Sequence, residues 1–238
     1  MAKKYLLIFG FVLLAGLIIL GTIWVKTHFG GRNRMVLDFL LHPDEHRDWI
    51  IPARSRCGEA PFIMPTEGFI GYLYDDRFKL FTPHQGLDFF GGQKAGLTPV
   101  YAPYDALLTR QSNWKSTLIL RVPEDPLYTE GPRQIWLYMT HLADAQGESL
   151  ILPTFPPGSV DIPVKQGDLL GYQGNYSGNP AQPVGVHLHF SIVKDDGEGQ
   201  YLNELQIKNT IDPSKYFGLN LNAKSAGMGI PLCPEQSN

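Results

Sequence analysis

The sequence predicts a mainly β, antiparallel domain behind one N-terminal membrane-spanning helix. Three observations predict it. From Phe62 onward, short strand-like runs alternate with Gly, Pro and Asp turns. Long helical periodicities are scarce beyond the N-terminus. Residues 5–25 carry no charge at all.

As a helix, that uncharged stretch spans about 31 Å, close to one hydrocarbon core. Tyr5 and Trp24 sit where interfacial aromatics belong. A secretory signal peptide is the rival reading. The exit Gly21-Thr22-Ile23-Trp24-Val25-Lys26 lacks an Ala-x-Ala site and a lipid-accepting Cys, which favours an uncleaved single-pass anchor. Charge does not orient it, because Lys3 and Lys4 are matched by Lys26, Arg32 and Arg34. The resulting division is a cytoplasmic tip at 1–4, the anchor at 5–25, a linker at 26–58, the domain at 59–217 and a tail at 218–238.

Within the linker, Met35 to Leu41 is apolar enough for a short helix. The run His42-Pro43-Asp44-Glu45-His46 has the spacing of an inverted zinc-peptidase signature. That chemistry needs both histidines on one face of a continuous helix. Pro43 instead favours a helix starting there, which leaves His42 at the cap. A solvated turn is the better account.

Net charge is −3 overall. The first 34 residues hold five Lys/Arg and no Asp/Glu, so the remainder carries −8. An acidic domain argues against nucleic-acid binding and against bulk attraction to anionic polymers. The two cysteines, Cys57 and Cys233, lie away from the histidines in sequence and are not expected to bind metal. Outside the cell they can pair; the alternative is two free thiols.

Strands are expected near Gly68 to Leu73, Val100 to Arg110, Thr117 to Val122, Gln134 to His141, Asp168 to Gln173 and Val186 to Val193. Pro123 to Pro126 and Glu130 to Pro132 bracket a hairpin connection. Residues 174–180 form a loop leading to the central strand; its Tyr176 is a candidate groove residue, with an exposed loop tyrosine as the alternative. Asp212 to Phe217 reads as a closing turn, with the tail loosely held unless Cys233 pins it.

The chemistry sits in the histidines. In Gly185-Val186-His187-Leu188-His189-Phe190, a strand places both imidazoles on one face. Upstream, His84 and Asp88 lie in Pro83-His84-Gln85-Gly86-Leu87-Asp88. Pro83 and Gly86 argue for an extended segment with a bend, and a curl at Gly86 can bring the two side chains together. With His189 they make a two-histidine, one-carboxylate set, which suits a catalytic zinc with an open position. The same set suits a non-haem iron oxygenase, although the spacing is long for one. His141, near the end of an expected strand, gains weight only from this company.

His84-x-Gly-x-Asp88, then a strand ending in His141-Leu142, then Gly185-x-His187-Leu188-His189-Phe190, resembles the LytM/lysostaphin family of zinc metallopeptidases. Thr98 to Pro103 and Val164 to Gly174 resemble the family's lead-in strands, so the likeness covers about half the chain, from Pro65 to Val193. It implies an antiparallel β sandwich or half-open barrel. It implies one zinc ion per chain on His84, Asp88 and His189, with His141 and His187 as the catalytic pair. It also implies a peptidoglycan peptide, stem or cross-bridge, as substrate, and hence a domain facing the periplasm or cell exterior. Two departures stand out. Met139 occupies a position that is often Tyr in the family, with Tyr138 beside it. The stretch between Leu142 and Val164 is longer than usual. That insertion and the tail are candidates for a lid, which leaves an occluded, regulatory or wall-binding domain as the alternative to an enzyme.

Overall fold

A computed structural model of the chain describes residues 9–10, 12–22, 31–77, 82–131, 133–219, 226–227 and 229–233. Among the described residues, helix α1 (Arg32–Leu41) is followed by a 3-10 turn (Pro43–Trp49) and then by ten strands. They are β1 (Phe69–Tyr72), β2 (Leu87–Phe90), β3 (Pro99–Tyr101), β4 (Ala106–Thr109), β5 (Leu118–Val122), β6 (Ile135–Thr140), β7 (Ile162–Val164), β8 (Leu169–Tyr172), β9 (Leu188–Lys194) and β10 (Thr210–Ile211).

The main sheet runs β1-β2-β9-β6-β5-β4-β7, with β10 continuing beside β9, and every pairing is antiparallel. Strands β3 and β8 form a second, two-stranded antiparallel sheet. The period-two alternation divides the main sheet into faces. Leu188, Phe190 and Ile192 of β9 and Ile135, Leu137 and Met139 of β6 join one core cluster, with Val100 and Leu170 from the smaller sheet. The intervening His189, Ser191, Trp136, Tyr138 and Thr140 therefore face the opposite side. Met139 is fully buried in that core, while Tyr138 lies on the opposite face and lines a cavity there.

Two expectations about strands are corrected, and one extended segment proves to be a sheet strand. Val100 to Arg110 is not one strand: β3 and β4 belong to different sheets, and Pro103 between them has no N–H to continue a ladder. The strand expected from Val186 starts at Leu188, with His187 just ahead of it in an isolated bridge to Gly174. Leu87–Phe90, expected as a bent extended segment, is a sheet strand held between β1 and β9.

Two described segments flanking the sheet are tied to it. The turn Pro213–Phe217 is capped by the Asp212 carboxylate accepting from Ser214 N at 2.9 Å. Cys57 and Cys233 form a disulfide with Cα atoms 5.0 Å apart, which pins the tail. A structural disulfide belongs to an oxidising, extracytoplasmic compartment. The chain-entropy model gives a loop of this length about 5 kcal/mol of stabilisation. The Cys57→Ser/Cys233→Ser chain is thus expected to lose about 2–5 kcal/mol of unfolding free energy, read from its denaturation midpoint. An unchanged midpoint would contradict this.

The insertion between Leu142 and Val164 folds onto β8 and Arg110. Ile151 bridges Gly171, and the Arg110 guanidinium donates to Phe155 O at 2.9 Å. The expected anchor, residues 5–25, lies partly outside the described residues. Its described part is helical, with large apolar side chains exposed from Phe9 to Leu20. Among the described residues no helix is long and apolar enough to cross a membrane.

Candidate metal centre

The site is assembled by strand register. Asp88 of β2 is the direct cross-strand partner of His189 of β9, and Thr140 of β6 flanks His189 on the other side. Neighbours on one sheet face have Cβ atoms about 5 Å apart, within reach of one ion. His84 arrives from the segment before β2. Gly86 allows this approach: a Cβ there would lie 2.1 Å from Phe190 O.

The three ligand atoms converge. His84 Nε2 lies 3.0 Å from Asp88 Oδ1 and 3.0 Å from His189 Nδ1, and His189 Nδ1 lies 2.8 Å from Asp88 Oδ1. All three residues are buried, and among the described residues theirs is the group of His, Cys, Asp and Glu able to hold a metal ion. The other ring nitrogens identify the tautomers. His84 Nδ1 faces Leu73 O at 3.1 Å, and a carbonyl only accepts, so Nδ1 carries the proton. His189 Nε2 faces the Glu204 carboxylate at 3.0 Å and likewise donates. Two imidazole nitrogens and a carboxylate oxygen then meet at one point, where a proton holds them together in the metal-free chain and a metal cation can take its place. Ligand atoms on a tetrahedral zinc stand about 3.3 Å apart for bonds of about 2.0 Å. The triangle reaches that by widening slightly, so the residues fit the ion.

His141 and His187 stand beside this centre, ring centroids 4.4 Å apart. His141 Nδ1 donates to Tyr176 O at 2.7 Å and His187 Nδ1 to Gly185 O at 2.6 Å. Each therefore keeps a lone pair on Nε2, and His187 Nε2 lies 3.7 Å from Asp88 Oδ2. His187 also stacks on Phe90, centroids 4.9 Å apart. In unbroken alternation from β6, His141 would share the core side of Met139. It adopts φ 70° instead, the left-handed region, which turns its ring to the cavity. A non-glycine residue held there stores about 1–3 kcal/mol of strain, against which the Tyr176 bond and packing work.

Burial pushes the His141 imidazole down to about 3, and neighbouring His187 adds to the effect. Burial also lowers His187, with Asp88 partly offsetting it. Both are neutral bases near pH 7. Burial alone would raise Asp88, but the surrounding imidazoles hold it well below the usual carboxylate range.

Burial works against protonation of His189, yet its bonds to Asp88 and Glu204 carry it up to about 10 in the metal-free chain. That contribution to metal-free stability is present below about pH 6.5 and is lost as pH rises through about 10. Metal uptake near pH 7 must displace the same proton. Affinity should rise about tenfold per pH unit there, with about one proton released per ion. Calorimetry in buffers of different ionisation heat reads the proton count, and no release would contradict the coupling.

The five residues predicted from sequence are thus brought together around a cavity of about 730 Å³, also lined by Tyr138, Tyr176 and Thr117. No residue of 143–163 lines it. The His42/His46 run makes no such site: His46 stacks on Trp49 with centroids 3.8 Å apart, its Nε2 3.2 Å from Asp38. Sequence reasoning missed Glu204, buried and bonded to both His189 and Ser191 Oγ. It stands alone in a loop with no spacing signal; its only hint is a polar Ser191 two positions after His189 on an otherwise apolar strand. Glu204→Ala should weaken metal binding by about 10–100-fold in chelator competition, and unchanged affinity would remove it from the account.

No protein-family model matches the chain, and no curated protein does. Among solved structures, the chain is similar to the catalytic domain of a point mutant of the prophage-encoded M23 protein EnpA from Enterococcus faecalis. The match has a TM-score of 0.36 and 17% identity, and covers 64% of this chain and 96% of that one. A superposition of that quality does not establish a shared fold.

Proposed function

We propose that the chain is a metallopeptidase that hydrolyses peptide bonds of bacterial peptidoglycan, with one zinc ion per chain on His84, Asp88 and His189. The observation that carries the reading is the convergence of two unlike sets on one cavity. One set is three ligand atoms within mutual reach; the other is two neutral imidazoles whose Nε2 lone pairs are left over. When bound, zinc would acidify a water and polarise the scissile carbonyl.

The protein's own part is proton handling. Nε2 of His141 or His187 accepts the proton of the attacking water. The imidazolium so formed is a donor, which can hold the developing oxyanion and return the proton to the leaving amine as the C–N bond breaks. The backbone carbonyls on Nδ1 fix both rings and favour their protonated state during turnover. An iron oxygenase would share the ligand set but leaves these two histidines without a task.

The substrate class rests on the sequence resemblance to LytM/lysostaphin peptidases. The disulfide agrees with a domain outside the cytoplasm, where that polymer lies. A single-pass N-terminal anchor belongs to the same proposal: residues 12–22 form a helix apolar on all sides. The test is release of soluble fragments with new amino termini from purified peptidoglycan. Release should stop with chelator and return with zinc. No release from several wall chemistries by zinc-loaded protein would overturn the substrate.

A further inference from the structure

Helix α1 lies ahead of the β domain in sequence, yet near both its ends it touches residues that line the metal-site cavity, Tyr72 and Gly185. Arg32, at its start, is 7% exposed. Its guanidinium donates to Gly71 O at 2.7 Å, Ile70 O at 2.9 Å and Gly229 O at 2.9 Å, and its Nε lies 3.3 Å from Asp76 Oδ2. A buried charge is tolerated only with such a set of partners, and the rigid guanidinium fork can serve several acceptors at once.

Asp76 passes the contact on. Its Oδ2 accepts from Leu73 N at 2.7 Å. The turn so held grips His84 three ways. Leu73 O accepts from the ring Nδ1, Asp76 O accepts from His84 N at 2.8 Å, and His84 O accepts from Asp75 N at 2.8 Å. A parallel tie runs from Asn33, whose Oδ1 accepts from Tyr72 OH at 2.8 Å; the Tyr72 ring stands edge-on to His84. At the far end Leu40 packs over Gly185, whose carbonyl orients His187. Val36 and Leu40 between them line the cavity.

We propose that Arg32 is a positioning residue for the metal centre: it fastens helix α1 and the 73–76 turn together so that His84 is presented at the angle the ion requires. The inference rests on the metal-centre reading above. It makes the segment through which the chain enters the fold, together with tail residue Gly229, part of the machinery rather than a passive linker.

The test uses the full chain, purified in detergent. Zinc affinity is read by chelator competition, and site geometry by the visible spectrum of the cobalt-loaded protein. Arg32→Gln should weaken zinc by about 10–100-fold and change the cobalt spectrum. Arg133→Gln is the control. Arg133 binds Asp125 and stacks on Tyr128, neither of which lines the cavity, so the variant should lose stability with metal affinity and spectrum unchanged. If Arg32→Gln fails to fold, Asp76→Asn keeps an acceptor for Leu73 N but loses the charge facing Arg32, and should shift both readouts the same way. Wild-type affinity and spectrum in the folded variant would overturn the inference alone. A wild-type chain that binds no zinc would overturn it together with the metal centre.

Discussion

His187→Ala is expected to keep about one metal ion per chain while hydrolysis falls by about 10²–10⁴-fold, the range for loss of a positioned general acid–base group. His187 is not one of the three converging ligands. Its Nδ1 is committed to Gly185 O, and its ring packs against Phe90 and His141. Removal therefore leaves the His84–Asp88–His189 triangle standing and takes away one Nε2 lone pair. The deficit should appear in kcat rather than in KM, because the group acts on a proton that moves during reaction. Normal turnover in His187→Ala would show that His141 alone handles the proton.

His189→Ala should remove the metal and nearly all activity together. It deletes one ligand of three, and it also strips two buried carboxylates of a partner, since Asp88 and Glu204 both bond this ring. Breaking a buried ionic contact from one side destabilises by about 3–5 kcal/mol. The variant should thus unfold earlier than the metal-free wild type, not merely earlier than the loaded one. Retention of stoichiometric zinc in His189→Ala would contradict the ligand assignment.

The three converging residues were legible because each had a local signature: the His-x-Gly-x-Asp segment and the alternating His-Leu-His run. Sequence could not show that Asp88 and His189 are cross-strand partners, which depends on β2 inserting between β1 and β9. His141 was legible by order along the chain but not by direction. Strand alternation points it to the core, and only a left-handed backbone turns it outward. Pro103 signalled a break that a run of apolar residues around it obscured. Glu204 and Arg32 were illegible for a common reason: their contacts reach residues distant in sequence, from 204 to 189 and 191 and from 32 to 70, 71, 76 and 229. Neither leaves a spacing pattern in its own neighbourhood.

The most direct test of the metal centre is X-ray absorption at the metal edge of the full chain, purified without chelator and counted for metal in the same sample. The account predicts about one zinc per chain, coordinated by two imidazole nitrogens and carboxylate or water oxygens at about 2.0–2.2 Å. A chain that takes up no metal at stoichiometric loading, or one whose ion shows a different imidazole count, would contradict it.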